Sequence, residues 1–329
     1  MANIQEVARK AGVSSATVSR VLNNTTVVSS RTKMKVEKAI KELQYEPSML
    51  GRNLRKSESR LLLVLIHSFS NPFFSKIING IEDHSIANNY NILLCESDSD
   101  PQRENIFLNM VRNKLADGVI SMNPAVDMEM MLDLAEKHSI IFCSEYYEND
   151  AIPYVTIDNE AAAYKAVKHL IKLGNEKIAF ISYEESFVYA KQRRNGYERA
   201  LREFGLPMRE EWIYNAGGLD FQDGVQAVRK FLQCDERPTA VFAVSDTLAI
   251  GALKEVNVRG IKIPDEMAVV GFDNINFSNM TNPTLSTVSQ PMYDMGYKAA
   301  SMLIDSIQGK AVDSVIMDHE LIIRESTLS

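Results

Sequence analysis

Ile4-Gln-Glu-Val-Ala-Arg-Lys-Ala-Gly-Val-Ser-Ser-Ala-Thr-Val-Ser-Arg-Val-Leu-Asn23 holds two helical patterns separated by one glycine, and how they join decides the fold of the N-terminal part. Asn3, followed three residues later by Glu6, has the form of a capping box, and Ile4, Val7, Ala8 and Ala11 recur at the spacing of one apolar helix face. Gly12 ends that helix. Ser14 stands at the N-cap of a second helix, in which Val18, Val21 and Leu22 form the buried stripe while Ser15, Ala16, Ser19 and Arg20 face outward. A third helix starts near Ser29 or Ser30, buries Val36, Ala39, Ile40 and Leu43, and turns Lys33, Lys35, Lys38 and Lys41 outward. Two short helices with a tight turn, and small residues beside one arginine on the second, fit a helix-turn-helix. Small side chains let the backbone approach base edges, and the guanidinium fork matches guanine O6 and N7. A plain three-helix bundle with a solvated polar face fits the same pattern.

Charge decides between them. Residues 1–60 hold 12 Lys/Arg against 5 Asp/Glu, a net of +7, in a chain whose formal net charge is -7. A basic head on an acidic body calls for a polyanion partner at the head alone. Length (329 residues) and composition (45% hydrophobic, 24% charged) describe a soluble globular chain of two or three domains. Cys95, Cys143 and Cys234 are far apart and in no CxxC pair, which implies a reducing compartment, core positions and no metal cluster. The polar N-terminus carries no secretory signal and no apolar run of about 18 residues occurs, so a cytoplasmic protein with no membrane association is expected.

Further along, Leu61-Leu-Leu-Val-Leu-Ile66 is wholly apolar, as a central parallel strand covered on both faces must be. Asn71-Pro72-Phe73-Phe74 opens a helix whose stripe continues through Ile77, Ile78 and Ile81. Strands near Asn91–Cys95, Gly118–Met122, Ile140–Ser144, Lys177–Ile181, Ala240–Val244 and Ala268–Phe272 alternate with helical patterns, the signature of doubly wound parallel sheets. One sheet would need too many strands, and the irregular stretch Glu145–Pro153 splits the alternation into two lobes with a cleft between them. Ligands bind at the carboxyl ends of such strands. That places Phe73 and Phe74, Asp158, Ser245 and Asp246, and Asp273 around the cleft. Phe74 fits a core stripe as readily as a ligand wall, Asp246 ahead of Thr247 has the position of an N-cap, and the cluster Lys191–Arg194 has the composition of a solvated helix face.

The chain resembles the LacI/GalR family of bacterial transcriptional regulators, nearly position for position through Ile4–Asn23. In the body Ser70–Phe74, Thr156–Asn159, Arg194–Tyr197, Pro238–Phe242, Val270–Asn274 and Leu321–Thr327 carry the resemblance over essentially all of residues 61–329. It implies a small all-α helix-turn-helix head (1–46), a hinge helix and linker (47–60), and a two-lobed α/β effector and dimerisation domain (61–329) like the periplasmic sugar-binding proteins. The N-lobe would comprise about 61–158 and 290–310, and the C-lobe about 159–289 and 311–329. Ser14, Thr17, Ser19, Asn23, Ser29 and Thr32 would touch phosphates, and Ser15, Ala16 and Arg20 would read bases. Phe73 and Phe74 would stack on the effector, Arg193 would hydrogen-bond it, and Asp273 would take its hydroxyls. The family often has an aromatic where Leu219 stands; Phe221 is the candidate to replace it as a second stacking wall. Pro47–Lys56 takes the place of the hinge helix, with Leu54 as the wedge between central base pairs of the minor groove. The family commonly has Ala where Gly51 stands, and Gly costs a helix about 0.8–1 kcal/mol.

No P-loop, HExxH, GxSxG or GxGxxG occurs and the five histidines are isolated, so an enzyme is not expected, nor any cofactor or metal. The reading is an effector-responsive regulator, a repressor, that binds a pseudo-palindromic double-stranded operator as a homodimer. Gly51–Asn53, Glu58–Arg60 and Asp318–Arg324 are most similar to the cytidine/nucleoside repressor branch, which implies a nucleoside effector. A pentose, hexose or glucoside is the alternative. Gln290–Gly296 suggests a catabolite-control regulator with a phosphocarrier-protein corepressor, against which Ser301 stands in place of that branch's arginine. A solute-binding protein without DNA function would show an export signal and lack the basic head.

Overall fold

The computed structural model describes residues 2–23, 28–45, 58–148 and 151–328. The chain divides into two units, Met1–Ser59 and Arg60–Ser329. The hinge-helix expectation for residues 47–56, with Leu54 and Gly51, lies outside the described residues, as does the side chain of Asn23.

In the first unit α1 (Ile4–Ala11), α2 (Ser15–Asn23) and α3 (Ser30–Glu42) enclose a small core of Val7, Ala8, Ala11, Val18, Val21, Val36 and Ala39. The capping box is present: Asn3 Oδ1 accepts from the backbone of Gln5 and Glu6, and Glu6 accepts from the Asn3 N–H. Gly12 closes α1 in the left-handed region at φ 68°, which an L side chain reaches only under strain. That conformation makes the turn into α2 short.

The second unit holds two six-stranded sheets. The first runs β11-β5-β4-β3-β1-β2 and is parallel throughout. Its strands are β1 (Leu61–Ile66), β2 (Asn91–Glu96), β3 (Gly118–Ser121), β4 (Ser139–Cys143), β5 (Tyr154–Ile157) and β11 (Val315–Met317). Leu62, Val64 and Ile66 point into one apolar cluster and Leu63 and Leu65 into another, so β1 is covered on both faces, as its composition requires. The second sheet runs β12-β10-β9-β8-β6-β7 and is parallel except for β12 against β10. It comprises β6 (Ile178–Ser182), β7 (Ile213–Asn215), β8 (Ala240–Ala243), β9 (Ala268–Asp273), β10 (Ser286–Ser289) and β12 (Glu320–Ile322).

Helices α4 (Phe73–Ala87), α5 (Pro101–Arg112), α6 (Met128–Ala135) and α11 (Met292–Ile307) belong to the first lobe; α7 (Asn159–Lys172), α8 (Val188–Glu203), α9 (Phe221–Phe231) and α10 (Asp246–Val258) belong to the second. The chain crosses between lobes after β5, after β10 and between β11 and β12. This last crossing corrects the boundary expected at residue 310: β11 pairs in parallel with β5, so residues up to Met317 belong to the first lobe and only the segment from Glu320 on joins the second.

Helices α4 and α11 cross at a pair of glycines. A Cβ on Gly296 would stand 1.9 Å from the Ile77 carbonyl oxygen, and one on Gly80 would stand 2.0 Å from that of Tyr293. Backbone cannot give way as a flexible side chain can, so Gly296→Ala is expected to cost about 1–3 kcal/mol of unfolding free energy by overpacking, read as a lowered denaturant midpoint.

Candidate DNA interface and effector cleft

On the first unit, Val18 and Val21 pin α2 into the head core, which leaves Ala16 and Arg20 exposed on its far side and Ser15 half-buried between. Ser14 caps α2: its Oγ accepts from the Thr17 N–H at 3.2 Å and lies 2.9 Å from Thr17 Oγ1. Ser29 repeats the arrangement on α3, with Thr32 N–H at 3.3 Å and Thr32 Oγ1 at 2.9 Å. Four of the six residues assigned to phosphates thus form two hydroxyl pairs, each at a helix N-terminus, where backbone N–H groups and the helix dipole favour an anion. Ser19 is half-buried on α2. Glu42 lies 2.8 Å from Lys10 and 3.8 Å from Lys38, and Glu37 4.0 Å from Lys33, so the head's carboxylates are drawn to α1 and α3 rather than to the face of Arg20.

In the second unit the cleft between the lobes is lined by Phe73, Phe74, Arg193, Leu219, Ser245 and Asp273 among the residues named from sequence. Phe73 and Phe74 enter from the start of α4, their rings 5.3 Å apart and edge to face. Arg193 is almost wholly buried, which corrects the solvated-face reading of its neighbourhood. Its Nε donates to Asn159 Oδ1 at 2.9 Å and its Nη1 to the Val244 carbonyl, its guanidinium lies 3.5 Å from the centre of the Phe272 ring, and Nη1 is 3.6 Å from Asp273 Oδ1. The amphipathic period of α8 explains the reversal: Lys191 and Arg194 take the outer face while Arg193 shares the inner one with Val188, Ala190 and Tyr197.

Asp273 ends β9 at φ 116°, a conformation a non-glycine residue holds only when its surroundings enforce it. Its carboxyl accepts from Gln290 Nε2 at 2.7 Å and from the backbone N–H of Asp246 at the start of α10. Burial is the largest influence and lifts this acid to about 7, against the opposing pull of Arg193 and Gln290. An acid raised in the fold binds a proton that the unfolded chain releases near the ordinary value of 3.8, so its contribution to stability is full below that value and is lost as pH rises towards 7. Asp273→Asn removes this loss. The variant's stability relative to the natural chain is therefore expected to rise by on the order of 2 kcal/mol between about pH 5 and pH 8, measured by denaturant unfolding.

Two residues named from sequence lie elsewhere, and a third takes a different part. Asp158 is exposed and caps α7 through the Ala161 N–H at 2.9 Å. Phe221 opens α9 and lines a separate depression with Pro72, Ile250, Ile275 and Met280. Asp220 caps α9 and turns Phe221 there, so it supplies no second wall to the cleft. Asp246 is not the cap of α10: Ser245 accepts from the Leu248 N–H, while Asp246 is buried and accepts from Thr287 Oγ1 at 2.6 Å and the Ile275 N–H at 2.9 Å.

Sequence reasoning missed the second aromatic wall and a carboxyl. Tyr183 and Phe187 stack with centres 5.5 Å apart and line the cleft from the second lobe, and Tyr189 adds a ring 4.9 Å from the Arg193 guanidinium. Glu145, just beyond β4, reaches across the cleft to the N-terminus of α8, its Oε1 accepting from the Val188 N–H at 2.7 Å and its Oε2 from the Tyr189 N–H at 3.2 Å. Burial, the largest influence, raises it to about 7 although both N–H groups oppose that shift. The strand-end rule that named Asp273 also applies to Glu145. Among the described residues no cluster of His, Cys, Asp or Glu is placed to hold a metal, and no helix is long and apolar enough to cross a membrane.

Two family models match the chain: "Bacterial regulatory proteins, lacI family" over residues 3–48, and "Periplasmic binding proteins and sugar binding domain of LacI family" over residues 59–325. The HTH-type transcriptional repressor CytR of Escherichia coli (strain K12) is 36% identical over 99% of this chain and 96% of its own length. Catabolite control protein A of Priestia megaterium is 38% identical over 98% of both. The lac repressor dimer bound to operator and the anti-inducer ONPF superposes with a TM-score of 0.90 at 25% identity, covering 100% of this chain and 99% of that one. A transcriptional regulator CelR–cellobiose complex superposes with a TM-score of 0.75 at 28% identity, covering 99% and 100%. A helix-turn-helix head and a two-lobed sheet domain matched end to end leave one assignment: the chain belongs to the LacI family of bacterial transcriptional regulators.

Proposed function

We propose that the cleft takes a nucleoside, and that its binding changes the angle between the lobes and through it the affinity of the head for a pseudo-palindromic operator. The observation that carries this is the pairing of walls. Phe73 and Phe74 from one lobe and Tyr183 and Phe187 from the other line the same cleft, together with the Arg193–Asp273 pair. A planar base fits between aromatic faces and a ribose presents adjacent hydroxyls to a guanidinium and a carboxyl. A sugar is the second reading, favoured by the same floor and by the likeness to a regulator solved with cellobiose. In either case ligand energy shifts a conformational equilibrium instead of lowering a reaction barrier.

Arg20, Ser15 and Ala16 read bases in this account, Ser14, Thr17, Ser19, Asn23, Ser29 and Thr32 hold phosphates, and Leu54 wedges the minor groove. Homodimerisation is supported by an apolar patch on the C-lobe, where Phe277 is 53% and Met280 73% exposed beside Phe221 and Ile250. The protein is proposed to act in the cytoplasm without catalysing a reaction. Mobility shift of full-length protein on genomic fragments in low salt tests the DNA half, and failure to retard any fragment contradicts it. Melting against nucleosides and sugars tests the cleft: a ligand at about 100 times its dissociation constant adds roughly 2.7 kcal/mol.

A further inference from the structure

Each helix N-terminus that opens on the cleft is a place where an anionic ligand would ordinarily be held. Among the described residues, the N-termini of α4, α8 and α10 meet resident acceptors, and at α8 and α10 these include a buried carboxyl, unlike the neutral hydroxyl caps of the head's α2 and α3. Asn71 Oδ1 takes the Phe73 N–H of α4 at 3.0 Å. Glu145 takes the Val188 and Tyr189 N–H groups of α8, whose own N-cap residue, Phe187, makes no side-chain cap. At α10, Ser245 takes the Leu248 N–H and Asp273 the Asp246 N–H.

Among the described residues, the one guanidinium that lines the cleft gives no spare cation either. Arg193 is engaged by Asn159, by the Val244 carbonyl and by Asp273, leaving its remaining N–H groups as donors but its charge paired. Against it stand two carboxyls on the wall, Glu145 and Asp273, both buried. Of the other cations near the floor, Lys76 donates to the Asn274 carbonyl at 3.4 Å, and Arg324 to Asn274 Oδ1 at 2.8 Å and the Leu285 carbonyl at 2.7 Å.

We infer that the cleft is built for an unphosphorylated effector, one that brings hydrogen-bond donors to Glu145 and Asp273, and that Glu145 is the residue that excludes the phosphate ester of the same molecule. The inference rests on the cleft being the effector site and narrows what that site accepts. Glu145 has a second part in it. Because its carboxyl belongs to the first lobe and its partners to the second, it also sets where α8, and with it Arg193, stands relative to Phe73 and Phe74. An ester that displaced Glu145 from α8 would lose that tie between the lobes as well as meeting like charge.

Calorimetric titration of the full-length protein at about pH 8, above the value of about 7 to which burial raises both carboxyls, tests this with matched pairs: cytidine, uridine, adenosine, ribose and glucose, each beside its 5′- or 6′-type phosphate ester. The expected result is that a parent compound binds and its ester binds at least ~100-fold more weakly, the size of a close like-charge penalty. Glu145→Gln is expected to cut that ratio to below about tenfold, and Glu145→Asp to restore it. An ester that binds as tightly as its parent overturns the inference while leaving the cleft as the effector site. A ratio unchanged in Glu145→Gln removes Glu145 from the role. If no parent and no ester binds, the effector reading of the cleft fails, and this inference with it.

Discussion

Arg20→Ala is expected to weaken operator binding by about 1–3 kcal/mol for each half-site, roughly 5- to 150-fold, and by about twice that free energy in a dimer engaging both. Affinity for unrelated DNA should change little, since phosphate contacts carry most of non-specific binding. The physical ground is the geometry of α2. Val18 and Val21 fix its rotation against the head core, and Arg20 is left exposed on the opposite side with Ala16 one turn before it. An alanine leaves room for the guanidinium to reach a base pair without obstruction, and only arginine offers the two parallel donors that guanine O6 and N7 require. Lysine at position 20 is therefore expected not to restore discrimination. Because Arg20 is exposed, its loss should move stability by no more than about 0.5 kcal/mol, so weaker binding would not report unfolding. Fluorescence anisotropy on operator and scrambled duplexes at one salt concentration reads both affinities.

Arg193→Ala is expected to abolish the effector response. The deletion strips donors from Asn159 Oδ1 and the Val244 carbonyl and leaves Asp273 buried without its cation. Removing one partner of a desolvated pair costs about 2–5 kcal/mol in binding, so effector affinity should fall by roughly 30-fold to several thousand-fold. The same change should lower the stability of the second unit by about 3–5 kcal/mol. Operator binding should persist near the natural affinity in protein that remains folded, since the head has its own core. Calorimetry with the effector, a denaturant curve and operator anisotropy on one preparation separate these effects. A variant that still answers to effector would place the ligand somewhere other than the Arg193–Asp273 floor.

What could be read from sequence follows from where apolar side chains concentrate. Leu61–Ile66 is legible as a central strand because both of its faces are covered, and Ile4–Asn23 as a helix-turn-helix because caps, turn and stripe agree. By contrast β10, Ser286-Thr-Val-Ser289, has no apolar run, although Ser286 and Thr287 are fully buried; their hydroxyls are satisfied by Arg324, Thr327 and Asp246 from distant parts of the chain. Strand β11 has only three residues and pairs with β5, far back in the chain, which is why the last crossing was expected some seven residues early. In the cleft, strand-end position sufficed for Asp273. It does not suffice for Asp158, whose carboxyl caps its own helix, nor for Glu145, whose sequence surroundings have the look of a lobe boundary. Arg193 was indicated by resemblance alone, since composition argued for solvent.

The claim that joins both halves is that occupancy of the cleft is felt at the operator. It is tested most directly by titrating full-length protein onto an operator duplex with and without a ligand shown by calorimetry to bind, in the natural chain and in Arg193→Ala. The ligand is expected to change operator affinity by roughly 5- to 150-fold in the natural chain and by less than about twofold in the variant. A ligand that saturates the cleft of the natural chain and leaves its operator affinity unchanged would contradict it.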